Sequence, residues 1–132
     1  MRKSMMTAAV LAAALLAAPA FLHSQTGGLR FFGPLSRVVT PNGDGRNDLA
    51  FFCFDNPADS DITGKVFTLF GAEVASMTPR ASSAGTSCPG GFLPQRVTWD
   101  GRSSSGAAGS GLYVYRISIE GRQFTGTLLV VR

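Results

Sequence analysis

Beyond residue 28 the apolar positions do not settle into a helical period; they come in short bursts separated by glycine, proline, asparagine and aspartate. That spacing reads as strands and turns. Leu29 to Val39 is broken by Gly33-Pro34, and because proline cannot donate to a central ladder the segment reads as a bent or broken edge strand. Asp48 to Phe54 is compact and aromatic and reads as a central strand, followed by a turn over Asp55 to Asp61. Ile62 to Phe70 and Glu73 to Met77 form a hairpin around Gly71. Thr78 to Gln95, punctuated by Pro79, Pro89, Gly90-Gly91 and Pro94, reads as one long loop. A short strand from Arg96 to Asp100 leads into a Gly/Ser turn region over Gly101 to Gly111. Leu112 to Ile119 and Gln123 to Val131 close the chain as strands around Glu120-Gly121-Arg122. The pattern predicts an all-β fold, an antiparallel β-sandwich of about seven short strands.

The first residues have a different character. Arg2 and Lys3 precede a small-apolar run from Met5 to Leu16, and Ala18-Pro19-Ala20 supplies the small residues of a signal-peptidase site. The reading is a signal peptide over 1–20, cleaved after Ala20 or alternatively after Ser24, a lead-in over 21–28, and one domain over 29–132. A membrane anchor is the alternative, but the run is shorter than the roughly 20 apolar residues that span a bilayer. The mature chain is expected to lack a transmembrane segment and to be exported, to the periplasm, cell surface or extracellular space. Cleavage lowers the net charge from +4 to +2, leaving ten basic residues against eight acidic ones. The cations stand singly, so the clustered charge that nucleic-acid binding requires is missing.

Two cysteines in an exported chain, Cys53 and Cys88, favour a disulfide. It would enclose 34 residues, worth roughly 3 to 4 kcal/mol of chain entropy. Two separate buried thiols are the alternative, given Phe52 and Phe54 beside Cys53.

Thr40-Pro41-Asn42-Gly43-Asp44-Gly45-Arg46-Asn47-Asp48 is the densest cluster of turn formers and oxygen donors. One reading is calcium, with Asn42, Asp44 and Asp48 at i, i+2 and i+6 and the Arg46 carbonyl between them. Thr40 and Phe51 stand where acidic end ligands would be, and the other reading is a structural loop in which Asx side chains cap their own backbone. Trp99-Asp100-Gly101 reads as a core tryptophan followed by a turn. Tyr113 and Tyr115 share one strand face, as a core or edge aromatic pair or as a platform for a sugar ring. His23 is the sole histidine and lies at or before the mature N-terminus. Asp44 and Asp48 belong to one turn. No catalytic residue is assigned, and no cofactor is expected apart from the calcium alternative.

Taken together, the ordered motifs Thr40-Pro41-Asn42-Gly43-Asp44-Gly45, Asn47-Asp48, Trp99-Asp100-Gly101, Gly111-Leu112-Tyr113-Val114-Tyr115-Arg116 and Gly126-Thr127 resemble the gliding-motility-associated C-terminal domain, and are similar to the immunoglobulin-like domain of the flagellar hook-capping protein. The resemblance spans about Arg37 to Arg132. It implies an immunoglobulin-like sandwich, a protein partner in the cell envelope or its secretion machinery, and in many relatives a sorting role in type IX secretion. Phe67-Thr68-Leu69-Phe70-Gly71 departs from the Tyr-x-Arg-Trp-Gly of that family, and a sorting domain ordinarily follows a cargo domain. The expectation is therefore a non-catalytic exported module acting by protein interaction at the cell envelope, with two alternatives: a sorting signal lacking its cargo, and a calcium-dependent or glycan-binding adhesion module.

Overall fold

The structure, a computed structural model, describes residues 28–80 and 88–132. The leader, its cleavage sites, the lead-in up to residue 27 and the stretch 81–87 lie outside the described residues. Among those described, eleven strands form two facing sheets and a small ribbon. One sheet has the order β1-β3-β7-β6, with β1 Arg30–Pro34, β3 Ala50–Asp55, β7 Pro94–Trp99 and β6 Thr78–Arg80. The other has the order β2-β11-β10-β4-β5, with β2 Val38–Val39, β11 Arg122–Val130, β10 Gly111–Ile119, β4 Thr63–Thr68 and β5 Glu73–Ser76. The ribbon pairs β8 (Arg102–Ser103) with β9 (Gly106–Ala107). All pairings are antiparallel except that of β2 with β11. The fold is an immunoglobulin-like β-sandwich: β1, β3, β7 and β6 take the places of strands A, B, E and D, and β11, β10 and β4 those of G, F and C.

The broken edge strand expected over Leu29 to Val39 is two edge strands in two sheets. A register shift at Gly33 bends the chain after it pairs with β3, and Val38–Val39 then pairs with β11 in the other sheet. The long loop is a correction, because both its ends are strands. Thr78–Arg80 pairs with β7, and Pro79 is tolerated there because β6 is an edge whose outer side needs no partner. The β10–β11 hairpin turns on Glu120 and Gly121, both at positive φ, as a two-residue loop between paired Ile119 and Arg122 requires. Among the described residues no helix is long and apolar enough to cross a membrane.

Alternation places the core. Phe52 and Phe54 of β3 and Val97 and Trp99 of β7 point inward from one sheet, and Val66, Tyr115, Ile117, Leu128 and Val130 point inward from the other. Each such side chain contributes about 1.5 to 3 kcal/mol on burial. At one end Phe31 stacks on Phe54 at 4.7 Å and meets Phe124 at 4.5 Å, which ties β1, β3 and β11 together. In the middle Phe52 meets Tyr115 at 4.6 Å. In antibody domains a disulfide joins strands B and F. Here the disulfide runs elsewhere: Cys53, on β3, is bonded to Cys88 in the β6–β7 connection. The aromatic pair Phe52–Tyr115 bridges strands B and F instead.

Candidate functional site

Apart from Tyr115 in the middle of the core and the Cys53–Cys88 disulfide, the residues singled out in the sequence gather at one end of the sandwich, where β2 runs out into the loop 40–48, β7 into Asp100, and β11 into Arg132. Thr40 fixes the neck of the loop, its N–H donating to Asn47 O at 2.7 Å and its hydroxyl to Arg46 O at 3.1 Å. The loop then winds around the Asp48 carboxylate. Oδ1 accepts the amides of Asn42 at 3.0 Å and Gly43 at 2.7 Å, and Oδ2 accepts that of Gly45 at 2.7 Å. The Gly43 amide leads these contacts in holding the Asp48 carboxyl below its ordinary value, with Gly45 and Asn42 adding to it and desolvation opposing it. Two Asx turns complete the winding, Asp44 N to Asn42 Oδ1 at 3.0 Å and Arg46 N to Asp44 Oδ1 at 2.8 Å. Gly43, Gly45 and Asn47 all take positive φ, a conformation in which asparagine is the best tolerated of side-chain-bearing residues.

Asn42, Asp44 and Asp48, the residues of the calcium alternative, are each engaged in the loop's own hydrogen bonds. A calcium loop turns oxygens inward around a cation, whereas here N–H groups turn inward around a carboxylate of the loop itself. The Arg46 carbonyl, the proposed main-chain ligand, already accepts the Thr40 hydroxyl. The Asx-turn reading describes the loop.

Trp99-Asp100-Gly101 forms the neighbouring turn. The indole is buried, 5.5 Å from the Tyr113 ring, and its Nε1 donates to Arg102 O at 2.8 Å. Asp100 Oδ1 accepts the Arg102 amide at 3.0 Å, so its role is to shape the turn. Gly101 sits at φ 72°, and a Cβ there would lie 3.0 Å from Pro41 Cγ, so the two loops are in contact through a glycine. The tyrosines divide their work. Tyr113, at the start of β10, donates its hydroxyl to Gly109 O four residues back at 2.8 Å. This is a tyrosine corner at the E–F connection. Tyr115 is buried against Phe52, and burial pushes its phenol above the ordinary value. Both rings face the core, so neither offers a platform for a sugar.

Arg132 was not expected from sequence. Its Nε donates to Ala108 O at 2.6 Å and its Nη2 to Gly101 O at 2.9 Å, with a long contact from Nη1 to Pro41 O at 3.5 Å. Its backbone N–H donates to Ser110 Oγ at 3.0 Å. One guanidinium fork thus ties the opening loop, the Trp-Asp-Gly turn and the β8–β9 ribbon to the end of β11. No motif marks such a role, since it depends on which loops the topology brings together.

Beside this end lies an open cleft of about 670 Å³ between β5 and β8, lined by Leu49, Glu73, Val74, Trp99, Asp100 and Arg102 among others. Its two carboxylates are engaged, Glu73 with Lys65 Nζ at 2.9 Å and Asp100 with the Arg102 amide. Among the described residues no group of three or more His, Cys, Asp or Glu could hold a metal ion. No family model, curated protein or solved structure matches the chain.

Proposed function

We propose that the chain is an exported, non-catalytic immunoglobulin-like module of the gliding-motility-associated C-terminal type, acting by protein interaction at the cell envelope. What carries this reading is the use the fold makes of the shared motifs. Asn42 to Asp48, Trp99-Asp100-Gly101 and Tyr113 are all engaged in holding one end of the sandwich together. Motifs of that kind specify a scaffold, and the action then falls to its surface. The Cys53–Cys88 disulfide supports an oxidising compartment. The engaged carboxylates of the loop and the cleft support a role without chemistry.

The motif resemblance also supports a second reading, a sorting signal recognised by type IX secretion machinery. Fractionation of cells expressing a tagged chain, with and without that machinery, separates the two. Recovery outside the cytoplasm in both strains is the result expected of the free-standing module. Loss from the surface only when the machinery is absent supports the sorting signal, and cytoplasmic recovery in both strains overturns both.

A further inference from the structure

The two sulfurs of the Cys53–Cys88 bond sit in unequal surroundings. Phe52 and Phe54 point into the core, so Cys53 between them faces the outer side of the four-stranded sheet, yet it is fully buried beneath the connection that carries Cys88. Cys88 is partly exposed. In thiol–disulfide exchange an attacking thiolate must reach one sulfur while the other leaves. Access therefore selects Cys88 as the sulfur attacked and Cys53 as the one released.

A thiolate released at a buried position is costly without a donor or a cation beside it. Arg96 stands directly opposite Cys53 across the β3–β7 ladder, on the same face, where the Cβ atoms of opposed residues come within about 4.5 to 5.5 Å. Its guanidinium carbon lies 5.5 Å from the centre of the Phe51 ring, at the next outward position of β3. Its Nε is buried and has no hydrogen-bond partner among the described residues, a donor that is expensive to leave unpaired. On the other flank of Cys53 the opposed residue is Gly33, which presents no side chain. Asp55, the next outward position in the other direction, is occupied by the Leu93 amide, which donates to its Oδ1 at 2.8 Å. Arg30 and Arg80 are the register partners of Asp55 and Arg96.

We propose that the bond is a thiol-exchange site: an external thiolate attacks Cys88 Sγ and forms a mixed disulfide there, and Cys53 Sγ leaves as a thiolate that accepts the unpaired N–H of Arg96. The electron pair of the broken S–S bond stays on Cys53 Sγ. A second external thiolate releases Cys88, and the two external thiols depart as their own disulfide. The connection keeps its place when the bond opens, because the Asn56 amide donates to Leu93 O at 3.0 Å and Gly91 lies against the Asp55 carboxylate. The exchange requires no partner other than a thiol.

Brief exposure of the oxidised protein to glutathione at neutral pH, followed by acid quenching, alkylation of free thiols and peptide mass mapping, tests it. The expected result is glutathione on Cys88 and the alkyl group on Cys53, with that selectivity lost in denaturant. The rate is expected to fall by roughly threefold or more in Arg96→Met, which leaves a poorer leaving thiol, and to be retained in Arg96→Lys. In Cys88→Ser the thiolate absorbance of Cys53 is expected to titrate below the ordinary thiol value of about 8.5. The wild-type adduct position requires no variant, so it decides the matter even where Arg96→Met loses its fold. Glutathione found on Cys53 in the folded protein, an adduct formed only in denaturant, or a folded Arg96→Met that reacts at the wild-type rate overturns the proposal.

Discussion

Tyr115 lies across Gly126, its directly opposed cross-strand neighbour, so closely that a Cβ on Gly126 would come within 2.5 to 2.7 Å of the tyrosine oxygen and ring edge. The ring covers the glycine on one strand and reaches Phe52 of the facing sheet. The glycine of the Gly126-Thr127 pair is therefore needed for space.

Gly126→Ala is expected to cost about 1 to 3 kcal/mol, as overpacking of a filled core does. Urea denaturation reads this as a lower midpoint with an unchanged slope.

Asp48 gives a signature in pH. Its carboxyl is held below the ordinary range, so its contribution to stability is present above about pH 4 and is lost as the pH falls through the lower value of the folded state. Asp48→Ala is expected to melt several degrees below wild type at neutral pH, with the gap closing in acid. Melts of the wild type in calcium and in chelator are expected to superimpose.

Arg132→Ala is expected to cost about 1 to 2 kcal/mol, the low end of what hydrogen bonds from a charged donor contribute, because the side chain is partly exposed. Lysine is not expected to restore it, because a single ammonium cannot reach Ala108 and Gly101 carbonyls as a planar fork does. Thermal melts of the alanine and lysine variants check both statements.

The disulfide joins residues 35 apart in sequence. Reduction, or Cys53→Ala with Cys88→Ala, is expected to cost roughly 3 to 4 kcal/mol. Equilibrium unfolding with and without reductant measures it.

Much of this fold was legible in the sequence because alternation is a local signal. Leu112 to Ile119 announces a strand with two faces, and Phe51 to Phe54 a buried one. The edge strand Thr78–Arg80 was not legible, because Pro79 mimics a loop and only its place at the rim of a sheet makes it acceptable. Within the loop 40–48 the composition marked a turn, but composition cannot distinguish oxygens converging on a cation from amides converging on a carboxylate. The difference lies in the positive φ values of Gly43, Gly45 and Asn47, which aim the N–H groups inward. Arg132 was hidden for a different reason: its partners are 24, 31 and 91 residues away in sequence, and topology alone unites them.

Export of a disulfide-bonded module is the core of the proposal, and its sharpest check is the intact mass of the chain recovered from the extracytoplasmic fraction of its own cells. The predicted mass lacks residues 1–20, or 1–24, and is lower by two hydrogens for the Cys53–Cys88 bond. A full-length chain with two free thiols, found only in the cytoplasm, would contradict it.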